Sequence, residues 1–335
     1  MRRVLDVTVR YGIVLPHFGA DPHPTRMIDV ARMAEAHGFD SLWVRDRLAA
    51  GAPHGLLLEA GGTVFYEPLL TLAATAAVTT TITLGTAVLL PNRHPLRLAQ
   101  QVGTLAQLAP GRVVIGLGLG VGASNFTSVG LDYDARRELL RETVQLLRGW
   151  EPGTERHHVG DHFSFGPVGI DPAVPTRLPV YYGGVSRAAV RRAFEYADGW
   201  IAGRLPRDTF RARMRLVDRY RADTGRSLDI ATMPITLVDD GDGTLTGTAE
   251  DAAAQLARSA EGAADWIKPP SGRFETLEDL SGLLIAGDPE HCAREVRSIL
   301  ESGATHIVFD LRLVFERIER QIELLAQEVL PRVGR

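Results

Sequence analysis

Short apolar runs alternate along this chain with longer segments whose apolar residues recur every three or four positions. The runs read as strands at Gly12–Leu15, Ser41–Val44, Ile82–Leu90, Arg112–Leu117, Val180–Tyr182, Gly199–Ala202, Asp229–Leu237 and His306–Asp310. The longer segments predict helices at Arg26–His37, Leu69–Val78, Leu96–Leu108, Ala135–Trp150, Arg187–Tyr196, Arg207–Thr224, Ala249–Ser259 and Phe315–Val329. In the first, Met27, Val30, Ala31 and Ala34 share one face. Strands each followed by a helix give an α/β class and predict a closed (β/α)8 TIM barrel. An open doubly wound sheet is the competitor. It would carry a glycine-rich fingerprint at its first strand-to-helix turn, and here that turn is Pro16-His17-Phe18-Gly19.

Three segments exceed the bare repeat, after strands two, four and seven. Leu48–Glu67 is rich in Gly and Ala, and Asp239–Gly287 contains Lys-Pro-Pro-Ser-Gly and an extra helix. Glu151–Arg177 carries an alternating pattern around Gly160-Asp161 that predicts a β-hairpin. Loops that follow barrel strands collect at the face where active sites form, so the first and third insertions are expected to wall a substrate site. No low-complexity linker divides residues 1–335, so a single domain is expected.

The composition narrows the function classes. The 335 residues carry a net charge of −4, which gives no reason to expect nucleic acid or an anionic membrane as partner. No apolar run reaches the roughly 18 residues of a membrane span, and no secretory signal opens the chain, so a cytoplasmic location is expected. Cys292 is the one cysteine and reads as structural. Lys268 is the one lysine among 37 basic residues, an arginine bias that suits a high-GC genome such as an actinobacterium's.

The stretch Pro179–Trp200 carries the most chemistry. It reads as a buried strand, a Gly183-Gly184 turn, Val185, Ser186 at an N-cap position, and an amphipathic helix. Unpaired N–H groups at the start of that helix, next to backbone without side chains, suit a phosphate. An ordinary strand-to-helix connection is the alternative.

Several segments then resemble the bacterial luciferase-like superfamily. They are Ala34–Asp46, Ile82–Pro95, Gly111–Gly120, Gly183–Ser186 with Ala197–Trp200, and Gly287–Glu290 with Gly303–His306, in the right order over nearly the whole chain. The resemblance implies a TIM barrel that binds coenzyme F-420 or reduced FMN at the strand ends. Length and compact organisation are more similar to the deazaflavin branch, which moves a hydride to or from a small-molecule substrate. A reduced-FMN monooxygenase served by a separate flavin reductase is the alternative. A cofactor-free paralogue acting as a partner subunit is a third reading. The resemblance also implies a homodimer.

Within that frame the candidate residues separate by place. Asp46 and Arg47 end strand two, and Asp46 matches the Asp-His pair common in deazaflavin members, whereas Arg47 stands where His is usual. Arginine keeps its proton near neutral pH, so Arg47 would stabilise negative charge rather than act as an acid. A surface ion pair is the plain alternative. The resemblance places the ring over a bulge with a cis bond at Ala87–Val88. Gly116, Gly118, Gly120 and Gly122 alternate on one face of strand four and are expected to clear space for that ring. Val121 stands where one subgroup has a proton-donating Glu. His17 is the candidate titrating group at the open face, or a structural loop histidine. Phe18, Arg93 and His94 follow strands one and three and are expected near the substrate. His157, His158 and His162 lack a carboxylate or cysteine frame, and no metal is expected.

Overall fold

The computed structural model describes residues 8–48, 64–241, 251, 254 and 278–334. Its strands are β1 Arg10–Val14, β2 Phe18–Gly19, β3 Ser41–Val44, β4 Val64–Phe65, β5 Thr83–Thr86, β6 Val113–Gly118, β7 Arg156–Val159, β8 Ser164–Val168, β9 Val180–Gly183, β10 Gly199–Ile201, β11 Asp229–Thr232, β12 Ile235–Val238, β13 Leu284–Gly287 and β14 His306–Phe309. Eight of them, β1, β3, β5, β6, β9, β10, β11 and β14, pair in that order and close into a parallel barrel. Each overlaps one of the eight runs expected from the sequence. Helices surround the barrel: α1 Pro24–Ala36, α2 Pro68–Ala76, α3 Pro95–Leu108, α4 Ser124–Thr127, α5 Arg136–Leu147, α6 Arg187–Tyr196, α7 Arg207–Thr224 and α8 Pro289–Glu301. Four of these, α1, α2, α3 and α8, start on proline, whose missing N–H falls where a helix has no acceptor for it.

Both faces of the barrel strands are buried, as parallel strands under helices must be. The outer faces pack on the helices. The inner faces fill the lumen with Val14, Trp43, Val114, Tyr181, Ile201 and Val308. Trp43 Nε1–H donates to Ser41 Oγ at 2.8 Å, and that hydroxyl lies 2.7 Å from His306 Nε2. The barrel floor is thus solid, and any ligand must sit above it, at the C-terminal strand ends.

Three expectations need correction. The seventh run is two strands, because Pro234 has no N–H to continue the ladder. The chain leaves the barrel there, and β12 pairs with β13 in a separate two-stranded sheet. The third run stops as a regular strand at Thr86, and its continuation rejoins only through a bridge from Leu89 to Leu117. The final helix is broken into a 3-10 turn at Arg312–Arg317, a helix at Ile318–Leu324 and a π turn at Leu325–Val329. Val314 has a non-helical φ of −137°, and Pro331 cannot donate back to residue 327. Helix α8 lies outside the expected series and buries Cys292. Its cap is Asp288, which accepts from His291 N–H at 2.7 Å.

The expected hairpin is β7 against β8. Buried Glu142 on α5 latches it, accepting from His158 Nε2 at 2.7 Å and from the N–H groups of His162 and Phe163 at 3.2 Å. Most of the Leu48–Glu67 insertion, the helix expected at Ala249–Ser259 apart from 251 and 254, and Lys268 lie outside the described residues.

A cationic cavity at the C-terminal barrel face

A cavity of about 360 Å³ opens at the C-terminal ends of β3, β6, β9, β10, β11 and β14. Its first wall is the turn after β9. Ser186 caps α6 by accepting from Ala189 N–H at 3.1 Å. Gly184 has φ +158°, and a Cβ there would lie 2.9 Å from Ala189 Cβ, so this position requires glycine. Gly183, Gly184, Val185 and Ser186 all face the cavity, and Arg192 lies one turn further along α6.

The second wall is Ala87 and Val88, joined by a cis peptide. The glycines of β6 do not leave open room for a ring, as their alternation had suggested. A Cβ on Gly118 would meet Val88 Cγ2 at 2.5 Å, one on Gly183 would meet Val88 Cγ1 at 2.3 Å, and one on Gly116 would meet Thr86 O at 2.0 Å. The glycines admit the bulge itself, which then presents an apolar surface to the cavity. Gly120 reaches the lining, but Gly118 lies behind Val88.

The third wall is cationic. Asp310, at the end of β14, is buried and accepts from Arg204 Nη1 at 3.0 Å and from Arg312 Nε at 2.9 Å, with a further close contact from Arg312 Nη2. Burial pushes its carboxyl up, but Arg312, Arg204 and Arg45 outweigh that and hold it below its ordinary value. Arg45 lies over the Phe18 ring at 4.9 Å and the Phe65 ring at 5.7 Å, and Arg312 over Phe18 at 5.2 Å. Phe18 and Phe65 stack at 5.0 Å, so one aromatic pair supports both of these guanidinium groups.

With this geometry in place, the chain matches over residues 9–306 the family model described as luciferase-like monooxygenase. The chain belongs to the luciferase-like family. It is 29% identical, over 92% of its length and 93% of the relative's, to the F-420-dependent glucose-6-phosphate dehydrogenase of Nakamurella multipartita. Its fold is similar to that of an F-420-dependent secondary alcohol dehydrogenase in complex with an F-420–acetone adduct, with a TM-score of 0.78 at 20% identity, covering 98% of this chain and 100% of the other. It is also similar to the FMN-bound oxygenating constituent of 3,6-diketocamphane monooxygenase from Pseudomonas putida, with a TM-score of 0.72 at 16% identity, covering 97% and 98%.

Half of the expected site residues of this luciferase-like chain line the cavity: Ala87, Val88, Gly120, Gly183, Gly184, Val185 and Ser186. Others have different places. Asp46 pairs with Arg93 and not with Arg47. Its carboxylate accepts from Leu90 N–H at 2.9 Å and is gripped by Arg93, whose Nη2 also bonds Glu67 at 3.0 Å. That clamp ties the end of β3 to the start of α3, and it occupies Arg93, expected near the substrate. Arg47 packs over Phe65 at 5.6 Å, outside the cavity lining. His94 caps α3 through Nδ1 and packs on Phe163. Phe18 supports the arginines from behind.

His17 is not a titrating group at an open face. It is fully buried, with Nδ1 2.9 Å from Leu15 O and Nε2 accepting from Arg45 N–H at 2.9 Å. It therefore positions Arg45. Burial pushes its pKa down to about 4, and burial likewise pushes His306 to about 3. Both values lie below the ordinary 6.5, so an unfolded chain takes up protons at these sites before the folded one does. The stability they contribute is complete above pH 6.5 and falls away as the pH drops toward 4. His17→Gln is expected to flatten the stability–pH curve across that window, measured by urea unfolding at successive pH values. An unchanged slope would refute the neutral assignment.

Sequence reasoning missed Tyr182, Arg204, Met233, Asp310 and Arg312, all in the lining. The available signal was position. Arg204 follows β10, and Asp310 and Arg312 follow β14, at the face where barrel chemistry collects.

Proposed function

We propose that this chain is an F-420-dependent oxidoreductase that passes a hydride to or from a small organic substrate bearing an acidic or strongly polarised oxygen group. The observation that carries this reading is the continuity of one cavity. It runs from the turn at Gly184–Ser186, past the apolar wall of Ala87 and Val88, to the guanidinium groups around Asp310. The turn fits a phosphate because Gly184 leaves no Cβ in the way and the start of α6 offers unpaired N–H groups. The apolar wall fits a planar ring. Similarity over nearly the full length to a relative named as F-420-dependent supports the choice of coenzyme.

When bound, the coenzyme supplies the hydride chemistry, and the protein supplies orientation and electrostatics. Residues of the turn hold the phosphate end. Val88, locked between Gly118 and Gly183, fixes the plane against which a ring rests. Arg45, Arg204 and Arg312 face the opposite end and stabilise negative charge there. A guanidinium serves in charge stabilisation and not in proton transfer. Asp310 holds Arg204 and Arg312 in register. His17 places the Arg45 backbone. The same reading makes the chain a cytoplasmic homodimer acting as a single barrel domain. Light scattering that returned the mass of one chain would remove the dimer.

The reduced-FMN monooxygenase, with its reductase partner, is the second reading, supported by the shared fold of an FMN-bound structure. Fluorescence titration with F-420 and with FMN, followed by oxygen uptake with the reduced ligand, separates the two. Tight F-420 binding without oxygen uptake is expected. FMN binding with oxygen uptake would replace the proposal by the monooxygenase. Binding of neither would leave the cofactor-free partner subunit.

A further inference from the structure

Two carbonyl groups of the turn after β9 point away from the cavity. Gly184 O accepts from Trp200 Nε1 at 2.7 Å, and Val185 O accepts from Arg213 Nε at 3.1 Å. Both donors belong to buried residues of the elements behind the turn, Trp200 on β10 and Arg213 on α7. The peptides of this turn are trans, so each carbonyl and the N–H that follows it point in opposite directions. Holding Gly184 O and Val185 O backwards therefore drives the N–H groups of Val185 and Ser186 forwards, into the cavity that these residues line. Neither N–H donates to a backbone carbonyl among the described residues. Gly184 N–H, by contrast, is used in holding the turn to Ile201 O at 3.0 Å.

We infer that Arg213, together with Trp200, is a positioning residue for phosphate recognition: it sets the direction of the turn's N–H donors from behind and adds a buried positive charge to them. This rests on the proposed role of the turn as the phosphate site. The surroundings of Arg213 agree with it. Burial first, and then the nearby Arg187, hold its guanidinium below the ordinary value. Arg213 does not line the cavity. Its effect passes through the Val185 peptide.

The test compares ligands that differ only in their phosphate-bearing end. F-420 is paired with its phosphate-free ribityl deazaflavin, and FMN is paired with riboflavin, in fluorescence titrations of the full chain. Arg213→Met is expected to weaken the phosphate-bearing ligand roughly ten- to hundred-fold, the range for losing a hydrogen bond and a charge around an anion. Affinity for the phosphate-free ligand should stay within about two-fold. Arg213→Lys, which keeps a charge and a donor, should recover part of the loss. Trp200→Phe, which keeps the ring stacked on Phe210 but removes the N–H, should shift affinity in the same selective direction. If Arg213→Met does not fold by circular dichroism, Arg213→Lys and Trp200→Phe decide the matter. Equal weakening of both members of a pair would reduce Arg213 to general scaffolding and overturn the inference, as would no weakening at all. Should FMN bind in place of F-420, the proposed function falls while the FMN–riboflavin pair still decides this point. Binding of neither phosphate-bearing ligand removes both.

Discussion

Gly184→Val is expected to lower cofactor affinity by about a hundred-fold or more while the barrel stays folded, a change of about 2.7 kcal/mol. The size follows from where the side chain must go. A Cβ at residue 184 comes 2.9 Å from Ala189 Cβ and 3.4 Å from Tyr182 Cε1, and φ of +158° disfavours a β-branched residue in any case. Ala189 belongs to the first turn of α6, which the Ser186 cap holds in place. The added methyl groups therefore push the turn off the helix end and misalign the N–H groups that face the cavity. Gly184 N–H is also bonded to Ile201 O, so the displacement has no free direction. Ser186→Ala is milder, about 1 kcal/mol, because it removes only the cap to Ala189 N–H. Fluorescence titration with F-420 and FMN reads the affinity, and circular dichroism reads the fold. An unchanged dissociation constant in a folded Gly184→Val protein would remove the phosphate assignment.

Asp310→Ala is expected to cost the fold about 3–5 kcal/mol, the range for stripping one partner from a buried ion pair. Asp310 and Arg312 have side chains only 1% and 2% exposed, and Arg204 only 14%. Removing the carboxylate takes from Arg204 and Arg312 the buried anion that they share. Asp310→Asn keeps the shape and is expected to lose less stability but to weaken substrate binding, since the arginines are no longer held in register. The pH dependence follows from the sign of the shift. The folded carboxyl titrates below its ordinary value, so its contribution is complete above about pH 4 and is lost as the pH falls through the lowered value. Urea unfolding at pH 7 and at acid pH checks both statements. A difference between wild type and Asp310→Ala that stays constant down to strongly acid pH would contradict them.

The barrel was legible because its signal is local. A run such as Ser41–Val44 or His306–Phe309 is apolar on both faces, and each is followed by an amphipathic segment of helical period. The phosphate turn was legible for the same reason, since strand, glycines, cap and helix occupy one continuous stretch. The cationic wall was not. Arg204 and Arg312 follow two strands separated by more than a hundred residues, in a chain where arginine is almost the sole basic residue, so no local pattern marks them. Asp46 and Arg93 misled in the opposite way. They sit at strand ends, as catalytic groups do, but their charges satisfy each other across the gap between β3 and α3. His17 shows the limit of reading loop residues as exposed. Its ring is drawn under Phe18 and Phe65 because both of its nitrogens find backbone partners there. The glycine alternation on β6 was real, but the volume that it frees belongs to the neighbouring strand.

That last feature governs how this cavity can be reshaped. Val88 and the hollows above Gly118 and Gly183 are one shared volume. A larger residue at either glycine has nowhere to go unless Val88 is trimmed in the same step, and trimming Val88 alone opens a void behind the wall. An engineer seeking a roomier or narrower binding site must therefore treat residues 88, 118 and 183 as a single three-part exchange.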